Sequence, residues 1–343
     1  MSTPRLSVVI ATWNRLQLLS ELLDALNQQS LAADAFEVIV VDDGSKVPVA
    51  PELAKRRDRF TLRVLTQQNA GAAAARHAGV LDAKAPIVVI TDDDMLVPPE
   101  FLAEHLKAHD AGYTLVLGHI DNEPGLDTKP LFERFHAEQL ARFVARYSRE
   151  PTKVRGVMVC TGNVSFRRDD YLRVGGFDRS LDRSEDRELG VRLQKAGARL
   201  FFAKDARTIN RSDHLDTKVW MTRNFRYGIY DSRIHDKHPE VVDADPWHFF
   251  YLVNPVSRAL LLLSASAPTA GKVLSRAAYA VAEKVDERRS LHPLLGRVAV
   301  AGATLSYGLE YFRGVREEAG SLPKTWLDLA KHTVAHVKRK VTS

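Results

Sequence analysis

Three consecutive carboxylates, Asp92, Asp93 and Asp94, follow the apolar run Ile87-Val88-Val89-Ile90. Adjacent negative charges repel one another, so the arrangement costs free energy without a cation nearby. A hard divalent ion takes oxygen ligands and neutralises such a group. If extended geometry continues past the strand end, Asp92 and Asp94 point one way and Asp93 the other. The first pair could then reach one metal ion or a metal-bound phosphate. The competing reading is a solvated acidic turn ahead of a helix beginning near Pro98-Pro99-Glu100. A second carboxylate group, Glu185, Asp186 and Glu188, opens a helix whose apolar face is Leu189, Leu193 and Ala196 and which Gly197 ends. Acidic residues there favour the helix dipole; one of them could also serve as a general base. His214 sits in a polar loop, Asn210 to His214, where a lone histidine is more often surface decoration than a ligand.

Strands and helices alternate along the chain around these groups. Leu6–Ala11 reads as a strand, Asn14 as a cap for the helix carrying Leu19, Leu22, Leu23 and Leu26, and Phe36–Val41 as a second strand. That strand ends in the turn Asp42-Asp43-Gly44-Ser45, and Leu62–Leu65 reads as a third strand. Asn69 to Lys84 is an alanine-rich helix whose small side chains permit close packing. The acidic strand follows, then a helix over 99–109, a strand over 113–118 and a helix over 130–147. Strands alternating with helices predict a mostly parallel α/β sheet covered on both faces, with ligands at the carboxyl ends of the strands. Thr12, Asp43 and Asp92–Asp94 fall at those ends. No glycine-rich phosphate loop follows any strand, so the dinucleotide and P-loop classes are excluded by motif.

The chain has 343 residues, 45% hydrophobic and 27% charged, as a globular protein of one large or two modest domains would. Its single cysteine, Cys160, excludes an internal disulfide or a cysteine-rich zinc site. The formal charge of +6 is compatible with polyanionic substrates, anionic membranes or nucleic acid, but no nucleic-acid module is present, and none is expected as a partner. Leu6–Ala11 is too short for a signal peptide or a membrane span, which makes a cytoplasmic location the default expectation.

The ordered set Ser-Val-Val-Ile-Ala-Thr-Trp-Asn-Arg (7–15), Val-Asp-Asp-Gly-Ser (41–45), Asn-Ala-Gly-Ala-Ala-Ala-Ala-Arg (69–76), Thr-Asp-Asp-Asp (91–94), Gly-Asn-Val-Ser-Phe (162–166), Gly-Gly-Phe-Asp (175–178) and Glu-Asp-Arg-Glu-Leu-Gly-Val-Arg-Leu (185–193) resembles the family 2 glycosyltransferases, which have the GT-A fold. The resemblance spans roughly residues 5–235. It implies inverting transfer of a sugar from a nucleotide-sugar donor, with a divalent cation, Mn2+ or Mg2+, as cofactor. By the same resemblance Thr12, Asn14, Asp43, Asn69, Arg76, Asp92 and Asp93 lie on the nucleotide side. Asp94, Asp92 and His214 are implied as metal or diphosphate contacts. Gly162, Asn163 and Glu185 fall on the acceptor side, and Asp186 matches the general base. UDP is the preferred nucleotide, since Asp43 could accept from the uracil ring N–H. The acceptor is expected to be a glycan, lipid-linked or small-molecule hydroxyl, in polysaccharide, glycolipid or secondary-metabolite glycosylation. The Gln-x-x-Arg-Trp motif of processive members is absent, and Trp13 stands where a tyrosine is common.

Residues 1–240 are thus expected to form the GT-A domain and 241–343 an all-helical C-terminal region. Phe249–Ala267 is the most apolar stretch, but Arg258 at its centre disfavours bilayer insertion. A packed or interfacial helix is the expectation, with peripheral association at the inner face of a membrane, helped by the basic end Lys338-Arg339-Lys340. Two other function classes compete. A sugar nucleotidyltransferase would need a glycine-rich loop after the first strand. A non-catalytic sugar-nucleotide-binding scaffold would normally lack Asp94 or Asp186.

Overall fold

The structure is a computed structural model, and it describes residues 3–211 and 215–342. One sheet of eight strands organises the first part: β1 (Leu6–Thr12), β2 (Phe36–Asp42), β3 (Thr61–Thr66), β4 (Ile87–Thr91), β5 (Met95–Leu96), β6 (Leu115–Asn122), β7 (Asn163–Arg167) and β8 (Leu200–Asn210). Their order is β3-β2-β1-β4-β7-β6-β8-β5. β1, β2, β3 and β4 are mutually parallel, with Leu6 opposite Phe36 and Ile87. β7 runs antiparallel to both β4 and β6, and β6 is again parallel to β8. The sheet is therefore mixed, and parallel pairing dominates its first half.

Val, Ile and Leu fill β1, β2 and β4 because both faces of these strands are covered. On one face Leu19, Leu22, Leu23 and Leu26 of the helix Leu16–Leu26 pack with Phe101, Leu102 and Leu106. On the other, Ala75 and Val80 of the helix Ala72–Asp82 pack with Val9, Val41, Val88 and Ile90. Gly79 of that helix lies so close to Val9 that no side chain would fit, and small residues let it settle on the sheet.

The chain divides into two compact units, residues 1–124 with 137–213, and residues 125–136 with 214–343. This division falls elsewhere than the sequence boundary near 240. The helix Thr217–Lys237 lies in the second unit because Gly228 and Gly314 let it touch the helix Pro293–Ala319 backbone to backbone. A Cβ on either glycine would collide with the facing carbonyl, of Tyr311 or of Phe225. The second unit is helical throughout, as expected. Its core includes Leu131, Phe132, Phe135, Trp220, Tyr279 and Ala303, with a second cluster around Trp247, Phe250, Leu261 and Phe312.

Phe249–Ala267 is not one helix. Asn254-Pro255 breaks it into the helices Pro246–Leu252 and Pro255–Ser266, and Asn254 caps the second through its side chain. Arg258 donates to the carbonyls of Phe250, Tyr251 and Val253, closing the end of the preceding helix. Packing buries Phe250, Leu261 and Ala265 of the apolar run and leaves Leu252, Val256 and Leu263 exposed; among the described residues no helix is long and apolar enough to cross a membrane.

Candidate active site

β4 stops at Thr91, and the chain turns: the Met95 N–H donates to the Asp92 carbonyl at 3.2 Å. The alternation expected past the strand end therefore does not hold. Asp92 turns toward Arg76, whose Nη2 donates to Asp92 Oδ1 at 2.6 Å. Asp93 and Asp94 share Arg15, which donates to Asp93 Oδ1 at 3.2 Å and to Asp94 Oδ2 at 3.1 Å. Asp93 also accepts from the Thr12 hydroxyl at 2.7 Å. It is a buried residue, not part of a solvated turn. Burial pushes its carboxyl up, while Thr12 and Arg15 pull it back. Thr12 thus joins the end of β1 to the acidic turn, with Asp93 as the link.

The expected cap at Asn14 is not made. Asn14 adopts a left-handed backbone (φ 58°), and the helix starts at Leu16 without a side-chain cap. Its carboxamide oxygen accepts from the Lys46 N–H at 2.8 Å, and its N–H donates to the Ser45 hydroxyl. Asn14 therefore ties together the turns that follow β1 and β2. Asp42 folds the second turn by accepting from the Ser45 and Val49 N–H groups. Asp43 holds the next segment, accepting from the Gln67 side chain and from the N–H groups of Ala70 and Gly71 at 2.8–2.9 Å. Asn69 donates back to the Asp43 carbonyl at 3.0 Å. Gly44 has φ 75°, and a Cβ there would lie 2.8 Å from the Asn69 nitrogen, so this close passage requires glycine.

The second carboxylate group is tied to the acidic turn through Arg76. This buried guanidinium donates from Nη1 to Glu185 Oε1 at 2.9 Å while Nη2 holds Asp92. Burial works against its charge, but Asp92 and Glu185 outweigh burial and hold Arg76 above its ordinary value. Asp186, the next residue, is half-buried. It accepts from the Thr161 N–H at 3.2 Å and from the Arg187 N–H at 2.8 Å. Burial first, then the neighbouring Glu185 charge, push its carboxyl up to about 7. A helix terminus alone would have kept it low; desolvation and a like charge win.

Several features fix this corner. Gly156 and Gly190 face each other so closely that neither could carry a Cβ, and the Gly156 N–H donates to the Gln194 side chain at 2.7 Å. Arg187 donates to the Val157 carbonyl at 3.0 Å. Glu188 holds Arg192, which also donates to the carbonyls of Val174 and Gly176. The Gly-Gly-Phe-Asp turn and the helix Glu185–Lys195 are thus one assembly, and Glu188 is committed to structure.

Gly162 sits beside the crevice; a Cβ there would lie 2.8 Å from the Met95 methyl and 3.5 Å from Asp92 Oδ2. Asn163 does not fit an acceptor-side role. It is buried, donates to the carbonyls of His119 and Ala206, and its oxygen faces His105 Nε2 at 2.8 Å. Both its N–H donors are spent inside the sheet, and burial keeps its oxygen beside His105 and away from solvent. His214 lies outside the described residues. Arg15 is the site residue that the sequence reading missed. Its place three residues after Thr12, just past the end of β1, is the signal that could have found it.

Carboxylate oxygens suit a hard divalent ion, and Asp92 and Asp94 supply them from one turn. Among the described residues no three His, Cys, Asp or Glu side chains converge as a ready-made cage. Protein carboxylates would therefore need oxygens from the ligand or from water to complete a coordination shell.

Residues 7–175 match the model of glycosyl transferase family 2. The chain is 31% identical over 229 residues to validoxylamine A glucosyltransferase of Streptomyces hygroscopicus subsp. jinggangensis, covering 59% of this chain and 54% of that protein. An uncharacterised glycosyltransferase of Bacillus subtilis, YfnE, is 28% identical over 239 residues, covering 66% of this chain and 58% of its own length. The chain thus spans little more than half the length of these curated relatives. Among solved structures it is similar to the mannosyltransferase PcManGT from Pyrobaculum calidifontis, in complex with GDP-Man and Mn2+, with a TM-score of 0.56 and 21% identity over 89% of this chain and 88% of that one. It is also similar to S. aureus TarS 1-349 in complex with UDP, with a TM-score of 0.52 and 18% identity over 91% and 90% of the two chains. The expected GT-A fold with a helical C-terminal region is the fold seen here.

Proposed function

Since residues 7–175 belong to glycosyl transferase family 2, we propose that the protein is an inverting, non-processive glycosyltransferase that moves a sugar from a nucleoside-diphosphate sugar to an acceptor hydroxyl. The observation that carries this reading is the ion-pair bridge Asp92–Arg76–Glu185. It joins the strand-end carboxylates to the start of the helix that bears Asp186, so a leaving side and an attacking side share one crevice.

Asp186 takes the proton from the acceptor hydroxyl as it attacks. A group titrating near 7 is matched to that task, because about half of it is ionised at neutral pH and the ionised form is basic enough to take the proton. Its partial exposure leaves it reachable. Thr161 and Arg187 fix its orientation through their N–H groups. Attack from the Asp186 side, opposite the diphosphate, inverts the sugar centre. Arg76 holds Glu185 and Asp92 in place through two ion pairs, and burial together with Glu185 pushes the Asp186 carboxyl up.

On the leaving side, Asp94 with Asp92 would hold a divalent ion, Mn2+ or Mg2+, together with diphosphate oxygens; bound there, it supplies positive charge as the nucleotide departs. Arg15 adds a fixed cation beside Asp94. Thr12, Asp43 and Asn69 line the base and ribose end. A carboxylate offers about four acceptor positions. The Asp43 carboxylate uses three of them on Gln67, Ala70 and Gly71, so one remains for a uracil ring N–H, and UDP is the preferred nucleotide. The acceptor is a glycan, lipid-linked or small-molecule hydroxyl, and the site of action is cytoplasmic and membrane-peripheral.

The test is a panel of nucleotide sugars followed by thermal shift with and without Mn2+, then donor hydrolysis with water as surrogate acceptor. Metal-dependent stabilisation by one donor class and slow hydrolysis of that donor are expected. No stabilisation by any nucleotide sugar would overturn the reading.

A further inference from the structure

The helix Leu322–Thr342 has two unlike faces. Thr325 and His332 are buried, and Leu329 packs on the cluster that holds Trp247 and Phe312. The Tyr251 hydroxyl bonds to Thr333 at 2.6 Å, and its ring stacks on His336 with centroids 4.3 Å apart. His332 bonds to Asp245. The helix is therefore anchored along one side to the second unit.

On the opposite side Trp326 (42%), Leu327 (54%), Val334 (55%) and Val337 (54%) are exposed, with Ala330 between them. At about 100° per residue these five positions fall within an arc of roughly 100°. Lys324 and Lys331, seven residues apart and both exposed, run along one edge of that arc. The sequence continues with Lys338, Arg339 and Lys340, and Asp328 is the segment's only acid. An apolar stripe with a tryptophan, edged by lysines, is the pattern of a helix that lies in a membrane interface.

We infer that the helix Leu322–Thr342 docks on an anionic lipid surface, its apolar stripe entering the headgroup region and its lysine edge meeting acidic headgroups. Charge decides the occupant. A second copy would bring five basic residues against five, with one Asp328 per chain to answer them. An anionic bilayer complements both the stripe and its edge. The inference deepens the membrane-peripheral part of the proposed function and rests on that part, not on the transfer chemistry. It moves the contact away from Phe249–Ala267, where Leu252, Val256 and Leu263 are exposed but no lysine edges them.

The test is flotation of the full chain, without donor, on vesicles of phosphatidylcholine alone or with about one-third phosphatidylglycerol. Binding to the anionic vesicles only, and its weakening at 1 M salt, are expected. The double variant Leu327→Gln with Val334→Gln should reduce binding more than tenfold. Lys324→Glu with Lys331→Glu should reduce it at least about 25-fold, since each basic group near such a surface contributes about fivefold. Trp326 emission, taken as the difference from Trp326→Phe, should shift to the blue on binding. All these positions are exposed, and Lys324 gives up only a surface ion pair with Asp328 at 2.9 Å, so melting temperatures should change little; if the glutamine pair melts early, the glutamate pair carries the test. Absence of flotation on anionic vesicles, or flotation indifferent to both double variants, overturns the inference. So does a dimer that the glutamine pair dissociates in a chain that ignores vesicles. Loss of donor hydrolysis with flotation intact would instead count against the transfer reading alone.

Discussion

Gly156 and Gly190 meet backbone against backbone: a Cβ on Gly156 would strike the Gly190 carbonyl, and one on Gly190 the Gly156 carbonyl. Gly190 lies on the helix that begins with Glu185 and Asp186; Gly156 begins the segment that ends at Thr161. Their contact sets how far the Thr161 N–H stands from Asp186. Gly190→Ala should push the two apart. We expect a stability loss of about 1–3 kcal/mol, typical of overpacking, measured by urea unfolding. Transfer should fall with unchanged donor affinity. An alanine variant as stable and active as the parent would show that the contact is not needed.

Asp186→Asn keeps size and hydrogen bonding but removes basicity. The rate should drop about 10²–10⁴-fold, with donor affinity by calorimetry nearly unchanged. Asp94→Asn should do the reverse and weaken metal-dependent nucleotide binding as well as turnover. If Asp186→Asn loses donor binding as severely as Asp94→Asn, Asp186 belongs to the leaving side.

The raised Asp186 pKa has a direction in pH. Folded, the group titrates near 7; its ordinary value is 3.8. Between those values the folded chain keeps a proton that the unfolded chain has released. Stability from this group is therefore fully present below about pH 4 and is lost as pH rises through 7. The melting temperature of Asp186→Asn should exceed that of the parent at pH 8, and the gap should narrow toward pH 5. Transfer should show the opposite slope: kcat/KM should fall about tenfold per pH unit below the same pKa as the base becomes protonated. A flat rate profile from pH 5 to 8 would remove Asp186 as the base.

Arg76 answers two carboxylates with two separate nitrogens, which a lysine ammonium cannot match in geometry. Arg76→Lys should fold and lose at least about tenfold in activity. Arg76→Met should cost about 3–5 kcal/mol, because it strands Asp92 and Glu185 without their cation. Equal activity of the lysine variant and the parent would mean that the bridge is one of charge alone.

The succession of strands along the chain and the two carboxylate groups were legible because they depend on local pattern: β-branched runs, alternation, and turns rich in Asp and Gly. What the sequence could not reveal depends on partners far along the chain. Asn163 looks like part of an acceptor motif until His105, His119 and Ala206 surround it. Asn14 looks like a cap until Lys46, 32 residues on, claims its oxygen. The split of Asp92 from Asp93 and Asp94 follows from a turn that begins one residue earlier than alternation assumed. The resemblance implies Asp186 as the base, but its raised pKa could not be read from its place at a helix start, since helix position is local and burial is not.

The segment 125–136 belongs to a unit whose remaining residues begin at 214. During synthesis, Leu131, Phe132 and Phe135 emerge well before Trp220, Tyr279 and Ala303, the side chains that cover them. At about 5–20 residues per second, their aromatic faces wait about 4–34 seconds in the open. That interval gives a holding chaperone its opportunity, and a ribosome slowed between residues 136 and 220 would lengthen it.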